Sequence, residues 1–405
     1  MNHTTEVLLG LFIVFVTAQI GAELAQRLKL PAVVGEIAAG CAIGPAVLGW
    51  VKVNEPLEVL AEIGAVLLLF SVGLETRVDD LKRVGRVATA VGVAGVILPF
   101  ILGTLWATLA GFETPKAMFV ASAFVATSAG ITARVLGELG VLGRVESRVI
   151  LGAAVIDDIL AMLLLGVVTA LQSGGGISVL ELARVLVQAV GFVAVIALFG
   201  TRLMRRSSQM LEAPINPLSP LTLSLAICLG LAVAASTLGL AAIIGAFLAG
   251  MIAAETEQRP QLETQIQIIM AFLVPFFFVV TGMQVQVSAL ANLPALGTLL
   301  LVTLLAVIGK LVGCGFGALS LGRRSALVVG VGMVPRGEVG IIVASLGQQA
   351  GVFTGSTYAI IIAMSLLTSV IAPPVLSALL AKKQAPEAPE LPEAPESPPP
   401  DLNAR

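Results

Sequence analysis

Charge is scarce in this sequence. Only 12% of its 405 residues are Asp, Glu, Lys or Arg, and the formal net charge is −2. So few charges cannot cover a soluble surface. Without a positive excess, nothing draws the chain to nucleic acid. Cysteine is equally sparse: Cys41, Cys228 and Cys314 all fall in apolar runs. There a thiol reads as a small packing residue, not half of a disulfide or a metal ligand. The opening Met1-Asn2-His3-Thr4-Thr5-Glu6 has no basic n-region, so the first apolar run is expected to stay rather than be cleaved as a signal peptide.

Hydrophobic residues make up 57% of the chain, with 42 glycines and a mean hydropathy of +1.02. This is the composition of an all-α polytopic membrane protein. Apolar runs separated by charged or Gly/Pro turns predict thirteen spans, near 6–26, 31–49, 57–75, 86–111, 115–138, 146–171, 179–203, 219–237, 239–255, 262–282, 294–319, 324–348 and 356–380. With the N-terminus outside, sixteen Lys and Arg residues fall in the connections on one side and only Lys52 and Lys116 on the other. The positive-inside rule then orients the chain N-out and C-in. Residues 381–405, with seven prolines and a recurring Ala-Pro-Glu, predict a disordered cytoplasmic tail with no regulatory domain after it.

The sequence also repeats itself. Residues 30–40 match 240–250 at five of eleven positions, and 130–137 match 340–347 at four of eight. A fainter echo links 70–74 to 279–283. Matched spans lie seven apart, an odd number, so the copies cross the membrane in opposite senses. Two inverted six-helix repeats, spans 1–6 and 8–13 joined by span 7, are the plan of a secondary transporter.

Against this background Asp157 and Asp158 stand out. Both sit in the apolar run 151–165, roughly 16 Å from the span start at Glu146 at 1.5 Å per residue. An ionised side chain at the bilayer centre costs about 2.5–3.5 kcal/mol on insertion scales. Neighbouring helical residues point ~100° apart, so one carboxylate can face a partner helix while the other faces a cavity. Lys310 is the one lysine deep inside a span, at matching depth, and pairing it with an aspartate would offset the desolvation of both. Two spans look broken at mid-depth: one at Ala126-Thr127-Ser128-Ala129-Gly130, the other around Pro335. Unwound backbone at that depth must line a cavity or be buried in protein. Arg336, Glu338, Thr127 and Ser128 could compensate the exposed half-helix ends, and Arg336 and Glu338 either stabilise the crossing or reach the ion. Glu23, Glu36, Glu62 and Arg134, nearer span ends, read as interfacial anchors.

The segments 127–136 and 154–158, Lys310, and Pro335-Arg336-Gly337-Glu338-Val339-Gly340 resemble the cation:proton antiporter-2 family, most of all the NapA-type bacterial sodium/proton antiporters. The resemblance runs over the whole membrane region. It implies an NhaA/NapA-like antiporter fold assembled as a homodimer. Dimer-domain helices would occupy 1–85 and 219–292, core-domain helices 86–172 and 294–380, and a linker helix 179–203. It also implies that Asp158 is the main ion carboxylate and that Asp157 pairs with Lys310. Electroneutral relatives commonly carry Asn where Asp157 stands, so the second acid favours electrogenic Na⁺ (or Li⁺) for H⁺ exchange in pH homeostasis. No cofactor is expected and no enzyme chemistry.

Three rivals remain. A potassium/proton antiporter of the same family commonly adds a soluble nucleotide-binding domain, and the short tail expected here disfavours that reading while leaving it open. A passive channel would need a filter-like motif, and none is visible. An intramembrane aspartyl protease needs two carboxylates converging on one water, which adjacent residues do poorly, and no Gly-x-Gly-Asp signature is present.

Overall fold

The structure is a computed structural model that describes residues 3–76, 78–172, 179–196, 200, 219–238, 240–284, 293–349, 351–353 and 355–381. Among these residues there are fifteen α-helices and no strand. The first half comprises α1 (His3–Arg27), α2 (Ala32–Ile43), α3 (Glu55–Leu74), α4 (Val78–Leu109), α5 (Thr114–Val125), α6 (Ala129–Glu138) and α7 (Val145–Gln172), followed by α8 (Val179–Val195). The second comprises α9 (Ser219–Thr237), α10 (Ala242–Ala253), α11 (Arg259–Met283), α12 (Leu293–Gly317), α13 (Arg323–Gly332), α14 (Gly337–Gln349) and α15 (Gly355–Ala381). Among the described residues, eight segments are long and apolar enough to cross a membrane. This is a multi-pass membrane protein. Helix falls in every one of the thirteen expected segments, and 115–138 and 324–348 are each split in two. The proline-rich tail from residue 382 onward lies outside the described residues.

Local chemistry sets the helix limits. Asn54 caps α3, its side chain accepting from the Leu57 amide at 3.2 Å. α2 stops at Ile43, well short of the expected residue 49, because Gly44 is extended (φ −65°, ψ 173°) and precedes Pro45, which disfavours helix at the preceding position. At 12 residues α2 is ~18 Å long, too short to span the ~30 Å hydrocarbon core alone. Its counterpart α10 is also 12 residues long. Both are enclosed by neighbouring helices: α2 by α1 and α11, and α10 by α3 and α9.

The halves interlock reciprocally. A methyl group at Gly40 would collide with the Val279 carbonyl, and one at Gly282 with the Ile37 carbonyl. Shifted by 209 or 210 residues, the same contacts recur: Gly250 meets Phe70 and Gly73 meets Phe247. So α2 of the first half crosses α11 of the second just as α10 crosses α3. That is the signature of two repeats related by a two-fold. Close approach of backbones at small residues is how membrane helices gain dispersion contact without a hydrophobic drive between them.

Beyond this interlock, α4, α5 and α7 pack mainly with one another and with α12 to α15, α1 to α3 pack with α9 to α11, and α6 lies between, against α2 and α3 on one side and α7 and α15 on the other. α4 and α12 lie closest along each other, with Gly309 against Pro99 and Gly313 against Ala94. This contact holds Lys310 inward, towards α7. The three cysteines are free thiols, Cys228 and Cys314 buried and Cys41 half-buried.

Candidate ion site

α7 delivers the two aspartates to different surroundings. Asp157 is 0% exposed, and its Oδ1 accepts from the Lys310 ammonium at 2.6 Å. Lys310 is likewise 0% exposed. The ion pair is fully buried, so its attraction is little screened and its desolvation large. The Thr127 hydroxyl lies near Asp157, yet neither it nor Asp157 Oδ2 makes a hydrogen bond. Asp158, one residue on, is half-buried and lines a cavity of about 20 Å³ with Ala129 of α6, Leu69 of α3, and Ile243, Ile244 and Phe247 of α10. A water needs about 10–15 Å³ measured in this way, so the space suits one small guest. The cavity lies at the boundary between the two helix groups.

The two broken helices cross at this level. α5 ends at Val125, Ala126 and Ser128 are extended, and α6 restarts with Ser128 as its N-cap. Opposite, α13 ends at Gly332 and α14 restarts at Gly337. The crossing is stitched by the Ser128 amide donating to Pro335 O (2.8 Å) and the Thr132 hydroxyl donating to Gly332 O (2.7 Å). Gly337 has φ +44°, and a Cβ there would strike Ser128 and Ile131, so only glycine suits the turn.

Arg336 is fully buried. Its guanidinium donates to Val334 O (3.2 Å) and Ala126 O (3.3 Å), the carbonyls just past the ends of α13 and α5. A third bond runs to Ala306 O (2.8 Å), one turn before Lys310 on α12. The fixed positive charge therefore sits where two half-helix C-termini converge, the place that the peptide dipoles favour. Of the two roles open to Arg336 in the sequence, these bonds describe the stabilising one. Glu338 falls in the first turn of α14, and its side chain lies outside the described residues.

Two groups escaped the sequence reading. Ser365 and Ser369 of α15 are buried beneath the crossing, and the Ser369 hydroxyl accepts from the Gly337 amide at 3.0 Å. Their i, i+4 spacing in an apolar run was the available signal. Glu36 and Arg134 require a correction. Glu23 and Glu62 are exposed, as surface anchors would be, but Glu36 is 2% exposed and faces Arg134 across a helix boundary.

Residues 11–382 match the family described as sodium/hydrogen exchanger, transmembrane. The chain belongs to that family. Proteins similar to this chain include a high-affinity Na⁺/H⁺ antiporter of Synechocystis, 35% identical with 94% of this chain and 92% of the relative covered. A Na⁺/H⁺-K⁺ antiporter of Bacillus cereus is 36% identical over 90% of this chain and 94% of its own. The solved structure of the sodium proton antiporter from Methanocaldococcus jannaschii covers 93% of this chain and 97% of its own with a TM-score of 0.65. At 18% identity it speaks for the fold of this exchanger-family chain.

Proposed function

We propose that this chain exchanges Na⁺ for H⁺ by alternating access, with Asp158 as the carboxylate that binds either ion. The observation that carries this reading is the division of the aspartates: Asp157 is committed to Lys310, while Asp158 lines the small cavity between the helix groups. Proton-loaded, Asp158 is neutral and Lys310 holds its ammonium against Asp157. When Na⁺ enters, Asp158 gives up its proton and the cation draws on Asp157 as well. That weakens the Asp157–Lys310 bond and eases loss of the Lys310 proton. Two protons leave for one Na⁺, so exchange moves net charge. The α4–α7/α12–α15 group acts as the moving core against a dimer domain of α1–α3 and α9–α11. The extreme bias of Lys and Arg favours N-out, C-in insertion, the bacterial relatives favour a prokaryotic inner membrane, and we take the working unit to be a homodimer of thirteen-span subunits.

The transport chemistry makes and breaks no covalent bond beyond proton transfer. The side-by-side aspartates do not converge on one water as a protease dyad would. Potassium/proton exchange is the second reading. It draws support from the Bacillus cereus relative, whose name includes K⁺. In proteoliposomes holding a pH gradient, Na⁺ and Li⁺ are expected to dissipate the gradient at lower concentration than K⁺. Equal or stronger dissipation by K⁺ would transfer the assignment to the second reading.

A further inference from the structure

Glu36, Arg134 and Glu138 join the two helix groups on the side that the charge bias makes cytoplasmic. α2 begins at Ala32 after Pro31, which provides no side-chain cap, so the first amides of α2 need outside acceptors. One is met from a different helix: Glu138 Oε2, at the end of α6, accepts from the Ala32 amide at 3.2 Å. A carboxylate at a helix N-terminus is favoured by the peptide dipoles. The other Glu138 oxygen accepts from Arg134 Nε at 2.7 Å, and Arg134 reaches back to Glu36 Oε1 at 3.8 Å. Glu36 stands one turn after Ala32 on α2. Thus α6 is clipped to α2 at two successive turns.

The other end of α6 is the ion site. Its N-cap Ser128 is stitched to Pro335, and Ala129 shares the cavity wall with Asp158. With ten residues α6 is a rod of ~15 Å, too short to absorb a shift at one end without passing it to the other. The Ser128–Pro335 and Thr132–Gly332 bonds tie α6 to the crossing, whereas α2 packs chiefly on α1 and α11. Any parting of the groups on this side must therefore break the Ala32–Glu138 bond and stretch the Arg134–Glu36 pair. Glu36 is 2% exposed and its Oε2 has no hydrogen bond, so Arg134 is its compensating charge at this boundary.

We propose that this cluster is a latch: Glu138 and Arg134 are positioning residues that hold α6 against α2 and set how readily the site opens to the cytoplasmic side. The proposal rests on alternating access at Asp158. Loosening the latch changes the populations of the two orientations, so it alters affinity in opposite senses on the two faces. In Glu138→Gln, assayed in oriented proteoliposomes, the Na⁺ concentration for half-maximal exchange is expected to fall on the cytoplasmic face and rise on the other, each by roughly five-fold. A merely structural defect would lower the maximum rate from both faces and leave both affinities alone; that result overturns the latch. Arg134→Lys, which keeps the charge but loses the guanidinium fork, is expected to shift the affinities in the same directions by less, and it serves if Glu138→Gln does not fold. Amide hydrogen exchange on the full chain in nanodiscs separates this proposal from the transport reading. Residues 32–36 and 129–138 should exchange faster in the variants than in the unaltered protein, even if no Na⁺-dependent proton movement is found. Unchanged exchange in both segments would sink the latch by itself.

Discussion

Proteoliposomes carrying Asp158→Asn should move no more protons on Na⁺ addition than protein-free vesicles. Asn keeps the volume of the side chain and much of its hydrogen bonding. It can neither hold a carboxyl proton nor present a full negative charge to Na⁺, so both legs of the exchange fail together. Because Asp157 and Lys310 form their own bond at 2.6 Å, the variant should fold and melt close to the unaltered protein. That separation of activity from stability is what distinguishes an ion carboxylate from a packing group. Full Na⁺-dependent proton movement in this variant would remove Asp158 from the site.

The reverse pattern is expected at Lys310. Lys310→Gln strands the Asp157 carboxylate in a fully buried position, and removing one partner of a buried pair costs about 3–5 kcal/mol. The apparent melting temperature in detergent should fall sharply. The double variant Asp157→Asn/Lys310→Gln removes both charges and leaves two amides able to bond each other. It should therefore recover most of that loss, because the penalty lies in the uncompensated charge rather than in the missing attraction. Any exchange that survives in Lys310→Gln should be indifferent to membrane potential, since the second proton has lost its carrier. Equal melting of the single and double variants would contradict the pairing as the main stabilising contact of these two side chains.

Sequence pattern exposed some of this plainly. Intramembrane charges are expensive, so Asp157, Asp158 and Lys310 were visible from their apolar surroundings, and the inverted repeat was visible from three matches at a nearly constant offset. The broken spans were marked by Pro335 and by Ser and Gly at mid-depth. Where each polar group sends its hydrogen bonds was not legible. Arg336 could be placed at the crossing but not assigned to Ala126, Val334 and Ala306, because those acceptors are backbone carbonyls that every residue carries. Glu36 and Arg134 were misread for a related reason. Depth along a span suggested an interface with lipid headgroups, whereas α2 is only 12 residues long and its first turns are held by α6, through Glu138 and Arg134, and by α1, where Gly35 meets Gly21 and Ala25. Ser365 and Ser369 were overlooked because hydroxyls in apolar helices usually bond their own backbone, as both of these do. Only Ser369's additional contact with the Gly337 amide ties it to the crossing.

The central claim is that Na⁺ and H⁺ compete for one carboxylate, and the most direct measurement is the half-saturating Na⁺ concentration as a function of pH in proteoliposomes. Competition predicts that this concentration rises by about tenfold per unit fall in pH for each proton displaced, with the maximum rate restored by enough Na⁺. A Na⁺ affinity that stays constant across the same pH range would contradict the shared site at Asp158.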